Sequence, residues 1–473
     1  MTRTAIVWFR WDLRTEDNPA WAAATADYDA VVPVFIWGPE EEGPKPLGGA
    51  SCWYLHHALE RFDARLRDRG SRLIVRRGPA AEVLEELVEA TGADAVFANH
   101  RYEPYAVDRD GDVASRLADK GVGFERSHGH LLIEPDAVRT KTGKPYQVFT
   151  PFWKSIRATI ADEFLDEWKE TSGVAADRRR KDRNDFPSPD TWPASVPTDD
   201  LGLLPTPDWA GGLRDTWTPG REGAIDRLRA FLDGPVLEYD HDRDFPAIEG
   251  TSRLSPHLRF GEIGVREVYV ATVEKHGAEA ADTFLSELAW REFAYHLLVH
   301  FPDTIGAPLK EKFDRMPWRD DPDGLRAWRR GETGFPIVDA GMRQLYATGW
   351  MHNRVRMIVG SFLTKDLLID WREGEAWFWD CLVDADPASN TLGWQWVSGC
   401  GADAAPFFRI FNPTTQSERY DGKGDYIREF VGELDGLNPK AIHVPRRVDG
   451  YPGPVVDHGE RRDAALEAYK AIK

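Results

Sequence analysis

Cysteine, methionine, lysine and net positive charge are all scarce in this chain. Three cysteines in 473 residues (Cys52, Cys381 and Cys400) are too few for a disulfide scaffold and fit a reducing compartment. No run of about 18 apolar residues occurs, so no membrane span is expected. Met1–Arg10 carries charge and leads straight into a strand-like stretch, so no signal peptide is expected. A cytoplasmic monomer follows as the expectation. The 60 Lys+Arg against 79 Asp+Glu leave a net charge of −19. That excludes binding nucleic acid by bulk positive charge, though not by a local basic patch. Only 15 of the 60 basic residues are lysine. Acidic excess with arginine preference resembles a halophilic protein, whose carboxylates hold water while salt screens their repulsion. An ordinary acidic enzyme shares that composition.

What the chain does have is a core. Hydrophobic residues at 42% and charged residues at 29% are an ordinary globular balance, and the length suggests roughly two to four domains. Nineteen tryptophans are a surplus. They serve core packing first, and stacking or electron transfer where their surroundings allow it.

Residues 1–130 alternate strand-like and helix-like patterns. Ala5–Phe9, Val31–Ile36, Arg72–Val75 and Asp94–Ala98 are short apolar runs, with helix-length segments such as Ser51–Arg69 and Ala80–Thr91 between them. This predicts βαβ units, hence a parallel, Rossmann-like α/β domain. The dinucleotide fingerprint G-x-G-x-x-G is missing after the first strand, which argues against a dehydrogenase. Over 131–215 the pattern dissolves into the charge run Asp177–Arg183 and the Pro- and Asp-rich stretch Asn184–Pro207, which reads as an interdomain connector. From 216 to 473 helical spacing takes over, as in Asp282–Phe301, Ile337–Ala347 and His352–Leu368. The expected architecture is α/β domain, long connector, all-helical domain.

Four clusters carry chemistry. Glu287, Trp290 and Arg291 share one face of a helix; an acid, a flat ring and a guanidinium together suit stacking on a flat ligand with polar edges. An exposed face with an incidental Trp is the plainer alternative. Asn353 and Met357 stand one turn apart, while Arg354 and Arg356 point elsewhere, toward phosphates or surface partners. Thr251-Ser252-Arg253-Leu254-Ser255-Pro256 places three hydroxyls before a helix whose first turn suits Pro256, with Ser255 as N-cap. That is a phosphate site or a simple cap. Asp384-x-Asp386 precedes Asn390, Trp394 and Trp396. Without His, Cys or further acids nearby, the two carboxylates favour bonding a ring system or ribose over a metal. No His clusters with Cys, so no metal site is expected. A G-x-S-x-G elbow and a P-loop are also absent.

Val7-Trp8-Phe9-Arg10-x-Asp12-Leu13-Arg14-x-x-Asp17-Asn18, with Glu249–Pro256, Trp290–Phe293, Gly349–Arg354 and Asp384–Trp396, resembles the DNA photolyase/cryptochrome family over almost the whole chain. In detail it is similar to the class I cyclobutane pyrimidine dimer (CPD) photolyases. The resemblance implies FAD inside the helical domain, held by Tyr239, Thr251, Ser252, Arg253, Leu254 and Ser255 at its diphosphate and ribitol. Asp384, Ala385 and Asp386 would meet the flavin–ribose region, and Asn390 the flavin N5. The lesion pocket would take Glu287, Trp290, Asn353, Met357 and Trp396. Trp290 and Trp396 would stack on the dimer; Glu287 would bond a base edge and stabilise the dimer's transient negative charge. Arg243, Arg291, Arg354, Arg356 and Arg409, with Gln416 and Lys154, would contact phosphates of UV-damaged DNA. Trp394, Trp371 and Trp318 would relay electrons to the flavin from the surface. The resemblance also implies a light antenna in the α/β domain, either 8-hydroxy-5-deazaflavin or methenyltetrahydrofolate, with Glu103 and Arg259 as candidate contacts. The implied activity is light-driven splitting of pyrimidine dimers. One alternative is a cryptochrome-type photoreceptor, against which the short C-terminus counts; another is (6-4) photoproduct repair, which needs His in the lesion pocket where Asn353 and Met357 stand.

Overall fold

The computed structural model describes residues 2–171, 186–404 and 409–473. The charge run Asp177–Arg183 lies outside the described residues. Strands β1 (Thr4–Phe9), β2 (Ala30–Trp37), β3 (Ile74–Arg77), β4 (Ala95–Asn99) and β5 (Gly123–Ser127) form one parallel sheet in the order β3-β2-β1-β4-β5. Between them run helices α1 (Pro19–Asp27), α2 (Gly49–Arg67), α3 (Ala80–Thr91) and α4 (Pro104–Asp119).

The apolar runs are continuous because both faces of the sheet are covered. Side chains alternate across a strand, so Ala5, Val7 and Phe9 join one core while Ile6 and Trp8 join another. The first of these cores continues into the helical domain through Trp53, Trp328 and Trp371. The expected strand Arg72–Val75 is shifted to Ile74–Arg77, the residues that pair with β2 from Val34 onward. β5 was missing from the sequence reading. Its Gly-Phe-Glu-Arg-Ser is a half-exposed edge strand with no apolar run to betray it.

Two differences concern the connector and the second domain. Helix α5 (Phe149–Thr159) lies inside the stretch expected to be patternless. Its Phe149, Phe152, Trp153 and Ile156 are buried against Phe284, Leu285 and Phe293 of the helix Asp282–His300. The start of the connector therefore packs as part of the helical body. The helix expected over His352–Leu368 is an α-helix over Asn353–Ser361 that continues as a π-turn over Phe362–Asp366.

The N-terminal motif joins the two halves. Buried Arg14 donates to the carbonyls of Asp17 (2.7 Å), Gly129 (2.7 Å) and Gly261 (3.1 Å). The Leu13 N–H donates to the carbonyl of Phe260 at 3.1 Å. Gly261 is required there: its φ is +65°, and a Cβ would stand 2.3 Å from the Trp11 carbonyl oxygen. This junction fixes the short helix Ser255–Arg259, which forms one wall of the site.

Candidate active site

A cavity of about 560 Å³ opens in the helical domain. Its walls come from the short helix Ser255–Arg259 and the helices Asp282–His300, Asn353–Ser361, Trp371–Cys381 and Pro387–Ser398. Of the residues singled out in the sequence, Tyr239, Arg243, Ser252, Leu254, Ser255, Glu287, Trp290, Arg291, Asn353, Arg354, Arg356, Met357, Asp384, Ala385, Asp386, Asn390, Trp394 and Trp396 all line it. Segments as far apart as Tyr239 and Trp396 thus converge on one space.

The inner wall is polar and ordered. Asp386 caps the helix Pro387–Ser398, accepting from Ser389 N at 2.7 Å and from the Tyr295 hydroxyl at 2.5 Å. Asp384 accepts from Arg356 through both oxygens, at 3.2 and 3.0 Å. The Asn390 amide nitrogen donates to the Glu375 carbonyl and to its carboxylate, each at 3.1 Å. Its amide oxygen is left as an acceptor for the cavity. Lys45, from the α/β domain, pairs with the same Glu375 carboxylate. Nothing in the sequence pointed to Lys45 or Glu375, because the pair spans 330 residues. Arg259 was read as an antenna contact and lies here instead: its Nε donates to the Ala385 carbonyl at 2.7 Å. Its buried Nη1 has no hydrogen-bond partner among the described residues.

The mouth carries the flat and charged groups. Trp290 lies parallel to Phe149, with ring centroids 3.8 Å apart, so its plane is fixed before any ligand arrives. Arg243 Nη1 stands 2.6 Å from Glu287 Oε1. Burial opposes the charge on Arg243, but Glu287, Tyr239 and Asp244 together outweigh it and raise the guanidinium above its ordinary value. Exposed Asn353 opens the helix Asn353–Ser361, and Met357 follows one turn on. That helix is capped by buried His352, whose Nδ1 accepts from Arg354 N at 3.2 Å. Burial, aided by Arg354 nearby, pushes the His352 imidazole down to about 3. Arg354 pairs with Asp244 and lies 4.4 Å over the Tyr420 ring.

Several expectations need correction. Ser255 is the first helical residue rather than the N-cap; Leu254 takes the cap position with helical backbone angles, and no side chain caps the turn. Thr251 and Arg253 are not among the lining residues, and Arg253 pairs with Glu249 instead. Arg356 turns inward to Asp384 rather than out toward phosphates. Arg291 lines the cavity, but its guanidinium is held by the His130 carbonyl (3.0 Å) and the His130 ring (2.8 Å). Glu103 is buried, and each of its carboxylate oxygens accepts from Arg101 at 2.9 Å. Arg409, Gln416 and Lys154 lie outside the lining; Arg409 and Lys154 are exposed. Of the three tryptophans expected to relay electrons, Trp394 lines the cavity, Trp371 is fully buried, and Trp318 is half-buried on the same core. Gly374 makes room for Trp394, since a Cβ there would meet the indole at 2.1 Å.

Comparison with known proteins agrees with this geometry. A family profile described as DNA photolyase matches residues 5–171, and one described as the FAD binding domain of DNA photolyase matches 284–471. A deoxyribodipyrimidine photo-lyase of Agrobacterium fabrum is 47% identical, over 100% of this chain and 98% of its own length. One from Halobacterium salinarum is 39% identical, over 99% of each. A crystal structure of a bacterial class III photolyase from Agrobacterium tumefaciens superposes with a TM-score of 0.91 at 45% identity, covering 100% of this chain and 98% of that one. The expectation of a halophilic source gains no support here, and the solved relative is of class III rather than class I.

Proposed function

The chain belongs to the DNA photolyase family, and on that premise we propose that it repairs cyclobutane pyrimidine dimers in DNA, using light and FAD held in the helical cavity. One observation carries the reading: a single cavity joins an inner wall of ordered donors and acceptors to a mouth bearing Glu287, Trp290, Asn353, Met357 and Trp396. We place the subclass with the class III relative.

The residues present fit FAD. The volume lies in the range of cofactor sites, roughly 300–1,000 Å³. Ser252, Ser255 and the unpartnered Arg259 Nη1 suit an anionic diphosphate, and the Asn390 oxygen suits a ring N–H. When bound and reduced, FAD supplies the light-excited electron that opens the cyclobutane ring and takes it back afterwards.

The protein's part is to bind, orient and exclude water. A damaged, poorly stacked pair costs less to flip from the duplex than an intact one, which favours the lesion. Trp290, braced by Phe149, gives the dimer a flat rigid wall. Glu287, held by Arg243, accepts from a base edge. Stabilising the transient negative charge falls to the Arg243 guanidinium, because a carboxylate paired with arginine would repel it. Arg354, on the rim beside Asn353, contacts phosphate and positions the duplex without reading its sequence. Trp394, Trp371 and Trp318 are the proposed relay. The antenna is either of the two chromophores named above, and the near-ultraviolet and blue absorption of the purified protein distinguishes them.

The test is thymine recovery from an oligothymidine carrying cyclobutane dimers, mixed anaerobically with photoreduced protein. Recovery should occur in blue light and not in the dark. An Asn353→Ala variant should lose at least about tenfold in repair with an unchanged melting temperature, because Asn353 is exposed and makes no side-chain hydrogen bond among the described residues. Dark recovery, or none despite a bound and reducible flavin, would sink the proposal.

A further inference from the structure

Helix α2 carries two adjacent histidines, His56 and His57, with Glu60 one turn on. They lie outside the cavity, where the helix meets the connector turn Thr198–Leu201. His57 Nδ1 stands 3.1 Å from Glu60 Oε2, and His56 Nε2 stands 3.6 Å from the same oxygen. His56 Nε2 is also 3.6 Å from Asp199 Oδ1 in the connector turn. One ligand atom each from His56, His57 and Glu60 falls within 4.8 Å of the other two. The imidazole planes cross at 88°.

His57 is hydrogen-bonded to Glu60 in the ordinary way, whereas the His56 spacings are longer. Buried His56 is too far from either carboxylate for a hydrogen bond, and its Nδ1 has no partner among the described residues. Two imidazole nitrogens and two carboxylate oxygens do suit a borderline divalent ion. Bonds of about 2.0–2.2 Å to a tetrahedral zinc put ligand atoms about 3.4 Å apart, between the measured 3.1 and 3.6 Å. Glu60 and Asp199 are exposed, so the ion has a path in and the carboxylates have room to close on it.

We propose that His56, His57 and Glu60 of α2, with Asp199 of the connector, form a structural site for one zinc ion that fastens the connector to the α/β domain. This revises the expectation of no metal, which considered histidine only beside cysteine. Four protein ligands leave no open position, so the ion binds without chemistry of its own.

The test loads the purified flavoprotein with zinc chloride in molar excess, removes unbound ion by gel filtration, and measures retained zinc and the melting temperature. Wild type should retain about one zinc per chain and melt higher than the chelator-treated protein. The double variant His57→Ala, Glu60→Gln changes two accessible side chains. It should lose both the retained zinc and the shift while keeping its repair rate. Asp199→Asn, on the other segment, should lower zinc retention and keep the fold even if the double variant does not. Magnesium chloride should give no shift, since that ion prefers oxygen ligands. The proposal is overturned if wild type retains no zinc. It is equally overturned if the variants retain as much zinc as wild type.

Discussion

Arginines meet carboxylates in two regions of this molecule, and the two sets differ in what they leave over. In the α/β domain, Arg10 and Arg109 share Asp110 at 3.2 and 3.1 Å, Arg109 also reaches Glu42 at 2.9 Å, and Arg101 joins Glu42 to Glu103. The guanidinium carbons of Arg10 and Arg109 lie 4.4 and 4.8 Å over the Trp8 ring. All but the partly exposed Glu42 are buried, and the acids and bases pair with one another. Burial works against the Glu103 charge, yet Arg101, joined by Arg259 and a backbone N–H, outweighs it and holds the carboxyl well below the usual range. Around the cavity, Arg243, Arg354 and Arg356 are each matched to one acid, Glu287, Asp244 and Asp384, and stay at the edge of open space. A closed network specifies a fold, whereas a half-used pair can still meet a ligand. The sequence motif of the first strand and the motifs of the cavity look equally functional in print, but it is the second set that lines the cavity of the helical domain.

The sharpest way to break this contrast is to remove an acid from the closed network. Asp110→Asn leaves buried Arg10 without its charge partner. Losing one side of a buried pair costs about 3–5 kcal/mol. Urea unfolding should show that loss, while repair per folded molecule stays near wild type. If the variant is as stable as wild type, the network is not structural and the contrast fails.

A second test uses pH. His352 caps the helix that presents Asn353 and Met357, and burial, with Arg354 nearby, pushes its imidazole down to about 3. Unfolded, the same group takes up a proton below about 6.5. The folded pKa is depressed, so this contribution to stability is complete above pH 6.5 and is lost as pH falls toward the folded value. The slope approaches 1.4 kcal/mol per pH unit, or about 2 kcal/mol by pH 5. His352→Asn keeps a capping acceptor and removes the proton. Its unfolding free energy should stay flatter than wild type between pH 6.5 and 4; parallel curves would remove the cavity helix from the acid-sensitive part of the molecule.

Much of this was legible in the sequence because period and motif carried it. Ala5–Phe9 reads as a strand buried on both faces, and the structure splits its side chains between two cores. Glu287, Trp290 and Arg291 read as one helix face and do line one cavity. What periodicity could not show was direction. Arg356 looks like an outward cation in print and Arg259 like an antenna contact, but each finds its acceptor in the segment 384–386. The Glu103–Arg101 pair, two residues apart, is likewise not legible from periodicity. The Lys45–Glu375–Asn390 chain needed the two domains docked before it existed at all.

The smallest effect should come from the rim. Arg354→Gln opens the pair with Asp244, whose side chains are 19% and 32% exposed. Partly solvated pairs of this kind contribute about 0–1 kcal/mol, so the melting temperature should barely move. Repair at saturating DNA should be unchanged too, since Arg354 contacts phosphate rather than the dimer in this reading. What should change is the salt dependence of binding. Plotted as log affinity against log salt for an undamaged and a dimer-bearing duplex, the slope should fall by about one in both. An equal loss on both duplexes marks a phosphate contact that positions. A loss confined to the damaged duplex would move Arg354 from the rim into the lesion pocket, and the half-used pairs would then serve lesion recognition rather than docking.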